Sequence, residues 1–527
     1  MKSPKVILMS LPWSISNNES TSESKRGINH DSKIGFEHIG LLYLETLLEK
    51  AGISTEVHDL GFKAFHNQRI SLEECINIIK ERKPDIVGFS PYFTSIDDTL
   101  YVAEQIKELC PNIKIILGGP HASHTAKEIL EDKPFIDTIF LGEAFDSIVP
   151  GIEALLQDSS LESVQGVAFR NNKHIINNGW GQRISLDKLP IPTRSNKMYT
   201  NTKTASMMFA KGCPAACTFC SAESLRDRSW RSRSPDNLIE EIDYLTNQFG
   251  IEVIETHSDD GFGIGSNAIH HYTAFAQKLI NGNYKIKWRS VLRATDFREK
   301  GVLLSEDFWD LLHQSGLEKV FIGFEGGTNE RLRKIKKPAT VESNLRAFRF
   351  LTERGIAVQY GFIMFFPDST IEEIQENLDF LYELRDTTYS TYSSSLIIHP
   401  GSAYFDTYKT QGRLQQPYYG IQPYEFSDPS IKQIRSTYHK FVHDQEPIDT
   451  LCNDVAYAIV WGNDSVLHLD YEVKVDPTML EKRAKDLHST GKKVIQNPEK
   501  ALITLGEFNE HWRNEYSRYL KENARAT

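Results

Sequence analysis

The stretch Lys211-Gly-Cys213-Pro-Ala-Ala-Cys217-Thr-Phe-Cys220 gathers three of the chain's six cysteines in a C-x3-C-x2-C spacing. A structural zinc ion needs four tetrahedral protein ligands, and the sequence that follows, Ser-Ala-Glu-Ser-Leu-Arg, supplies neither a fourth Cys nor a His. Closely spaced thiolates are the usual ligands of iron–sulfur clusters. The spacing therefore predicts a four-iron cluster held by Cys213, Cys217 and Cys220, with one iron open to an exogenous ligand.

The remaining three cysteines, Cys75, Cys110 and Cys452, are scattered and are predicted to be bystanders. Six cysteines in 527 residues are too few for a disulfide framework, and the N-terminal sequence does not resemble a secretory leader, so a cytoplasmic protein with reduced thiols is expected. The formal net charge of −11 argues against nucleic acid as a partner. No run approaches the ~20 apolar residues of a membrane span.

The residues ahead of the cysteine stretch alternate short β-branched runs with amphipathic segments, as in a parallel sheet covered by helices. The predicted strands are Val6–Leu11, Ser54–Asp59, Asp85–Ser90, Lys114–Leu117 and Thr138–Leu141. The predicted helices are Gly40–Ala51, Leu72–Lys80, Ile96–Leu109, Ala126–Leu130 and Ser147–Leu155. This pattern predicts one doubly wound, Rossmann-like domain over residues 1–160, whose ligands bind beyond the carboxyl ends of the strands.

A linker over residues 161–200, with a strand at Gly166–Arg170, leads to a second βα series over residues 201–402. Its predicted strands are Ala205–Ala210, Val253–His257, Lys287–Arg293, Lys319–Phe324, Val358–Phe365 and Ser395–Ile398. Its predicted helices are Pro235–Phe249, Ala268–Leu279, Glu306–Gln314, Val341–Glu353 and Ile371–Leu384. Six units predict a partial (β/α)6 TIM-type barrel with its site at the carboxyl-end face. Residues 403–527 are predicted to form a mainly helical cap.

Two regions allow alternative interpretations. The polar loop from Trp13 to Lys33 is interpreted as disordered, with an active-site lid as the alternative. Four aromatic residues of the C-terminal region are interpreted mainly as core, with a lining of the substrate pocket as the alternative; they are Tyr418, Tyr419, Trp461 and Tyr471.

Five motifs in order along residues ~200–402 resemble the radical S-adenosylmethionine (SAM) superfamily. They are the cysteine stretch with Phe219 before its last Cys, Arg231-Ser-Arg233-Ser-Pro235, His257-Ser-Asp259-Asp260-Gly261-Phe262, Gly323-Phe-Glu325-Gly326-Gly327 and Gly361-Phe-Ile363-Met-Phe-Phe-Pro367. The resemblance implies a [4Fe-4S] cluster on the three catalytic cysteines. It also implies SAM-site residues, namely Phe219, Asp259, Asp260, Arg293, Glu325, Gly326 and Ile363.

Two of these assignments have structural alternatives. Arg293 is expected either to pair with the SAM carboxylate or to form an ion pair with Asp296 or Glu299. Glu325 is expected to approach the ribose and methionyl part of SAM, the alternative being an acid at a helix N-terminus.

The first domain resembles the cobalamin-binding domains that precede many radical SAM barrels. The matching runs are Gly40–Gly52, Pro84–Ser90, Ile115–Ser123 and Phe140–Glu143. The resemblance implies a cobalamin site that includes Ser90, Thr94, Gly118, Gly119, Pro120, His121, Gly142 and Glu143. The chain lacks an Asp-x-His-x-x-Gly run, so no histidine of that motif is expected on the cobalt. His121 itself is interpreted mainly as a partly exposed turn residue, and the bulky Phe145 is expected to narrow the pocket.

The two resemblances together imply a cobalamin-dependent radical SAM methyltransferase. It would methylate an unactivated carbon or phosphorus of a small molecule through a 5′-deoxyadenosyl radical and methylcobalamin, with electrons from a flavodoxin- or ferredoxin-type donor. One alternative is a radical SAM enzyme for rearrangement, cyclisation, oxidation or unusual SAM cleavage, with cobalamin structural or absent. The other is a non-enzymatic iron–sulfur and corrin sensor.

Overall fold

We analysed a computed structural model of the 527-residue chain. The structure describes residues 5–11, 37–61, 72–195, 203–222, 229–263, 266–296, 305–385, 389–420, 422–444 and 477–523. The loop Trp13–Lys33 and the residues Glu299, Cys452, Trp461 and Tyr471 lie outside these ranges. The chain divides into two compact units. Unit 1 comprises residues 1–214, 218–263 and 397–423, and unit 2 comprises residues 215–217, 264–396 and 424–527.

The N-terminal part of unit 1 is a seven-stranded sheet of order β2-β1-β3-β4-β5-β6-β7. The strands are β1 (Val6–Ser10), β2 (Thr55–Asp59), β3 (Ile86–Phe89), β4 (Lys114–Leu117), β5 (Thr138–Phe140), β6 (Val167–Asn171) and β7 (His174–Asn177). The first five are parallel, whereas β6 and β7 are antiparallel additions. Strand order reverses between β1 and β3, which is the switch point at which such sheets bind ligands.

Buried strands and amphipathic helices explain this sheet. In β1, Ile7 and Met9 contribute to one buried cluster while Val6 and Leu8 contribute to a second, as the period of two requires for a sheet covered on both faces. The covering helices are α1 (Ile39–Lys50), α2 (Leu72–Arg82), α3 (Ile96–Leu109), α4 (Gly119–His124), α5 (Ala126–Asp132) and α6 (Ile148–Leu156). Each predicted element is present with shifts of a few residues. The six-residue α4 and the polar edge strand β7 are additional.

Unit 1 also contains the first strands of the second βα series. Parallel strands β8 (Thr204–Met208) and β11 (Val253–His257) pair in register, and α7 (Pro235–Phe249) lies between them in the chain. A short antiparallel ribbon joins β9 (Ala210–Lys211) and β10 (Arg231–Ser232), on either side of the cysteine stretch. The predicted strand Ala205–Ala210 ends at Met208 instead, and Ala210 belongs to the ribbon strand β9.

Unit 2 continues the series with the parallel strands β12 (Lys287–Leu292), β13 (Leu317–Gly323) and β14 (Ala357–Gly361). Its helices in this region are α8 (Ser266–Asn281), α9 (Glu306–Gln314), α10 (Asn329–Lys334), α11 (Val341–Thr352), α12 (Ile371–Glu383) and α13 (Tyr389–Ser393). The expected sixth strand is reduced to a single parallel bridge between Phe365 and Ser395. Two backbone hydrogen bonds hold this bridge, from Phe365 to Ser394 and from Leu396 to Phe365. Beside it, the Ser394 hydroxyl accepts the Met364 amide and donates to the Thr391 carbonyl.

The C-terminal region is helical in the described residues, as expected. Its helices are α14 (Ala403–Thr410) in unit 1 and α15 (Pro429–Asp444), α16 (Pro477–Gln496) and α17 (Ala501–Asn523) in unit 2. Among the described residues, no helix combines the length and the apolar character that a membrane crossing requires.

Candidate functional site

The cysteine loop starts at Gly212, whose backbone is fixed by the turn after β11. Its N–H donates a 2.9 Å hydrogen bond to Asp259 Oδ2. Gly212 has φ +90°, and a Cβ at this position would overlap the Ser229 carbonyl oxygen. Asp259, predicted as a cofactor-site residue, therefore positions the first residue of the loop that carries the thiols.

The next aspartate anchors the end of the same loop. The indole N–H of Trp230 donates to the Asp260 carbonyl at 2.8 Å, and Asp260 is 1% exposed. The Trp230 ring lies against Gly263, at φ +63°, where a side chain would collide with it. Asp259 thus holds the start of the cysteine loop through its carboxylate, and Asp260 holds the end through its backbone carbonyl.

The three thiols lie on this loop with different burial. Cys217 is 7% exposed, whereas Cys213, Cys220 and Phe219 are half-buried. The Thr218 carbonyl accepts the Tyr404 amide at 3.0 Å. Within the described residues, no three Cys, His, Asp or Glu side chains converge as a metal-binding group. The donor set itself, three thiols on one loop, fits an iron–sulfur cluster better than zinc. Thr218 Oγ1, between Cys217 and Cys220 in the sequence, is buried without a hydrogen-bond partner.

Glu325 lies directly after β13 in a left-handed conformation, with φ +66°. Its carboxylate lies against Gly323 and Gly361, the last residues of β13 and β14, and a Cβ at Gly323 would overlap it. Lys337 approaches at 3.5 Å. The carboxylate is therefore held over the carboxyl ends of two parallel strands. The alternative of a helix N-terminal acid does not apply, because α10 starts four residues later and is capped by Thr328.

Two buried side chains connect the Glu325 turn with the loop after β14. Asn377 of α12 accepts the Gly327 amide at 2.8 Å and donates to the Met364 carbonyl at 3.2 Å. Arg331 adds ion pairs with Asp368 and Glu373 at 2.9 and 2.6 Å. The two predicted SAM motifs are thus joined in unit 2. The motifs themselves were predicted, but Asn377 was not, and a buried asparagine on an apolar helix face is the only signal for it.

Arg293 forms one of its two expected contacts. Its guanidinium pairs with Asp296 at 2.9 Å, and its backbone N–H donates to the same carboxylate. Its role toward SAM stays a prediction. Gly326 follows Glu325 in the turn, and Ile363 is half-buried in the loop after β14. The roles of Gly326 and Ile363 toward SAM also stay predictions.

The carboxyl edge of the N-terminal sheet has space and an unbonded polar atom. At Gly118, the residue after β4, an added Cβ would meet only Phe140 Cβ at 3.9 Å, whereas Gly119 has φ +84° and a Cβ there would overlap the Ser90 hydroxyl. Thr94 Oγ1, in the loop after β3, is buried and has no hydrogen-bond partner. An open glycine and an orphaned hydroxyl on neighbouring strand ends fit a polar, flat cofactor such as cobalamin.

Other predicted residues of this domain contact protein groups. His121 is 8% exposed within α4, not a partly exposed turn residue, and its Nε2 bonds the Tyr419 carbonyl at 2.8 Å. Tyr419 is buried in the core of the sheet domain, so the core interpretation holds for it. Pro120, next to His121 in the chain, lies in the first turn of α4. Burial lowers the pKa of His121.

The Gly142-Glu143 run is explained by packing. Gly142, at φ +74°, lies under the Trp180 ring, and Glu143 forms an ion pair with Arg231. Phe145 packs on Tyr43, with ring centroids 5.8 Å apart, in a separate apolar cluster. Phe145 therefore contributes to packing within unit 1, and its expected narrowing of the cobalamin pocket stays a prediction.

A buried ionic network joins α1 to the first strands of the second series. Arg194 pairs with Glu241 at 2.9 Å, and Glu241 also binds Arg233, whose guanidinium reaches the Tyr43 hydroxyl at 3.2 Å. Glu37 accepts the amide of Ser206 in β8 at 2.7 Å. Such pairs keep the two parts of unit 1 in a defined relation, since breaking one would leave a buried charge.

Comparisons with known proteins assign the N-terminal sheet domain and the second βα series to two known families. Residues 4–149 match the B12 binding domain family and residues 207–381 match the Radical SAM superfamily. An uncharacterized methyltransferase of Pyrococcus horikoshii, PH0819, is 26% identical over 362 residues, 67% of this chain and 75% of that protein. The anaerobic magnesium-protoporphyrin IX monomethyl ester cyclase of Cereibacter sphaeroides is 29% identical over 350 residues, 63% of this chain and 54% of that protein.

Among solved structures, the cobalamin-dependent S-adenosylmethionine radical enzyme OxsB with aqua-cobalamin bound is similar, with a TM-score of 0.66 and 18% identity over 97% of this chain and 84% of that chain. This likeness confirms the fold class: a sheet domain, a parallel βα domain and a helical C-terminal region. The two family matches imply a [4Fe-4S] cluster, SAM and cobalamin as cofactors. The chain thus carries a B12 binding domain over residues 4–149 followed by a Radical SAM superfamily domain over residues 207–381.

Proposed function

We propose that this radical SAM enzyme is a methyltransferase that methylates an unactivated carbon or phosphorus of a small-molecule or natural-product intermediate. The observation that carries the proposal is the presence in one chain of a thiol loop and a B12-binding sheet edge with an orphaned hydroxyl, Thr94 Oγ1. The relative PH0819, which is named a methyltransferase, supports it.

When bound, the cluster supplies the electron that cleaves SAM, and cobalamin carries the methyl group. In this proposal Cys213, Cys217 and Cys220 hold the cluster, and the Asp259 carboxylate fixes the start of their loop. Glu325 accepts hydrogen bonds from SAM hydroxyl or ammonium groups, because its carboxylate is already oriented between two strand ends. Ser90, Thr94 and Gly118 contact cobalamin. Residues 403–527 contribute to the shape of the substrate pocket, and a flavodoxin- or ferredoxin-type protein supplies the electrons.

A second candidate is a non-methylating radical SAM reaction such as ring formation. The cyclase relative, at 29% identity, favours it. The two candidates share the cysteine loop and the Glu325 turn, and they differ in whether cobalamin delivers a methyl group to the substrate. A sensor that turns nothing over is a third candidate, which reductive SAM cleavage would exclude.

The test is anaerobic reconstitution of the full chain with iron, sulfide and hydroxocobalamin, followed by product analysis with candidate substrates. A methyltransferase forms both 5′-deoxyadenosine and S-adenosylhomocysteine. 5′-Deoxyadenosine without S-adenosylhomocysteine, together with a converted substrate, would favour the second candidate. Cys217→Ala should lose iron and SAM cleavage, whereas the control Cys110→Ala, at a half-buried bystander, should keep both.

A further inference from the structure

Several polar side-chain atoms near the carboxyl edge of the N-terminal sheet are buried without a hydrogen-bond partner, and two of them lie near its switch point. One is Thr94 Oγ1 in the loop between β3 and α3, and the other is His38 Nδ1, just before α1. Buried polar atoms are almost always bonded, because an unmade hydrogen bond carries the full cost of desolvation. Two such atoms in neighbouring loops therefore indicate that a partner is absent.

The two loops flank the switch point of the sheet. In the chain, His38 comes between β1 and α1 and Thr94 comes between β3 and α3, and β1 and β3 are adjacent parallel strands. The His38 ring also lies 5.8 Å from the ring of Tyr92, which belongs to the Thr94 loop. Ligands of doubly wound sheets bind at this edge and this point. His38 and Thr94 are thus presented to the same region.

The position of His38 is fixed by its own backbone. Its N–H donates a 2.6 Å hydrogen bond to Asp59 Oδ2, and the Ser10 hydroxyl bonds the other oxygen of that carboxylate. Burial lowers the pKa of His38 and outweighs the opposing effect of Asp59. The ring is neutral near pH 7 and suits a neutral hydrogen-bonding group.

We propose that His38 Nδ1 and Thr94 Oγ1 form one polar subsite that hydrogen-bonds the amide or nucleotide substituents of cobalamin. His38 is thereby a cofactor-binding residue in addition to those predicted from sequence. The inference rests on the cobalamin dependence proposed above, and it assigns the imidazole to the periphery of the cofactor and not to the cobalt.

Two other orphaned threonine hydroxyls of this domain provide the contrast. Thr99 lies inside α3, and Thr138 begins β5 at the amino-end edge. Neither belongs to a loop at the carboxyl edge. Thr99→Val is therefore a control that matches Thr94→Val in chemistry and differs from it in location.

The experiment measures two quantities on the full-length, cobalamin-free protein: Tm, and hydroxocobalamin affinity by equilibrium dialysis. His38→Phe and Thr94→Val each remove an unbonded buried atom, so the apoprotein Tm should stay level or rise. Each variant should bind hydroxocobalamin about fivefold more weakly, which corresponds to one hydrogen bond. Thr99→Val should keep the wild-type affinity.

Affinity unchanged in both variants would overturn the subsite. A lower apoprotein Tm with unchanged affinity would assign the two residues to folding alone. A nitrogen splitting in the cob(II)alamin EPR spectrum that His38→Phe abolishes would overturn the peripheral role in favour of cobalt ligation. If wild-type protein binds no hydroxocobalamin, cobalamin dependence itself fails, which separates that failure from failure of the subsite.

Discussion

The backbone N–H of Gly327 donates a 2.8 Å hydrogen bond to the side-chain oxygen of Asn377, which is fully buried. The side-chain N–H of Asn377 donates to the backbone carbonyl of Met364, in the loop after β14. One side chain thereby fixes the relation between the two loops proposed to bind SAM.

Replacement of Asn377 by the isosteric Leu should weaken SAM binding. It leaves the Gly327 N–H and the Met364 carbonyl without partners, at a cost of about 1–3 kcal/mol for each buried group. We expect a several-fold higher KM for SAM with unchanged cobalamin content. The control is Leu381→Ala on the same helix, which lowers Tm through a cavity while its KM stays at the wild-type value. Equal KM changes in both variants would contradict a positioning role.

Gly323→Ala should weaken SAM binding because it displaces the Glu325 carboxylate. The new Cβ would overlap Glu325 Oε1, so the carboxylate must move from its place over the strand ends. We expect at least a tenfold higher KM for SAM, measured by 5′-deoxyadenosine formation. Gly506→Ala, in α17 with no heavy atom within 4 Å of its added Cβ, should leave KM unchanged and raise stability by up to about 1 kcal/mol.

Loss of the Asp259 carboxylate should reduce cluster retention. Asp259→Ala removes the acceptor of the Gly212 N–H, so the start of the cysteine loop loses its anchor. Iron and sulfide per protein should fall after anaerobic desalting, while Asp259→Asn, which keeps one acceptor oxygen, should retain more cluster. Asp307→Ala, at the exposed start of α9, should match wild type. Wild-type iron content in Asp259→Ala would contradict the anchor.

Acidification should destabilise unit 1 through its buried histidines. Burial, reinforced by nearby His121, lowers the pKa of His399 to about 4. Between about pH 4 and 6.5 the unfolded chain binds a proton that the folded chain does not, so stability is complete above pH 6.5 and declines as the pH falls. For His399 the loss at pH 5 is up to about 2 kcal/mol.

The measurement is the Tm of wild type and His399→Gln at pH 7 and pH 5. Between pH 7 and pH 5, the Tm of His399→Gln should fall by less than the Tm of wild type. The comparison is needed because Glu45 acts in the opposite direction: burial raises its pKa to about 7, which favours the folded state at lower pH. An identical decline in both proteins would refute the assignment to His399.

Sequence patterns were sufficient for most elements, since strands such as β4 and helices such as α3 have a clear apolar period. They failed for the expected sixth strand, where pairing is limited to one bridge at Ser395 and the Ser394 hydroxyl accepts the next backbone amide, that of Met364. They also placed His121 in a partly exposed turn, because the segment that buries it, around Tyr419, is almost 300 residues away in the chain.

The sequence by itself determined the thiol spacing, the order of the βα units and the motifs around Asp259 and Glu325, since these depend on neighbours within a few residues. Only the tertiary structure decided which side chains meet: Asn377 with Gly327, Glu143 with Arg231, and His38 beside the Thr94 loop. Such contacts join residues that are dozens of positions apart, and a local pattern contains no information on the packing that brings them together.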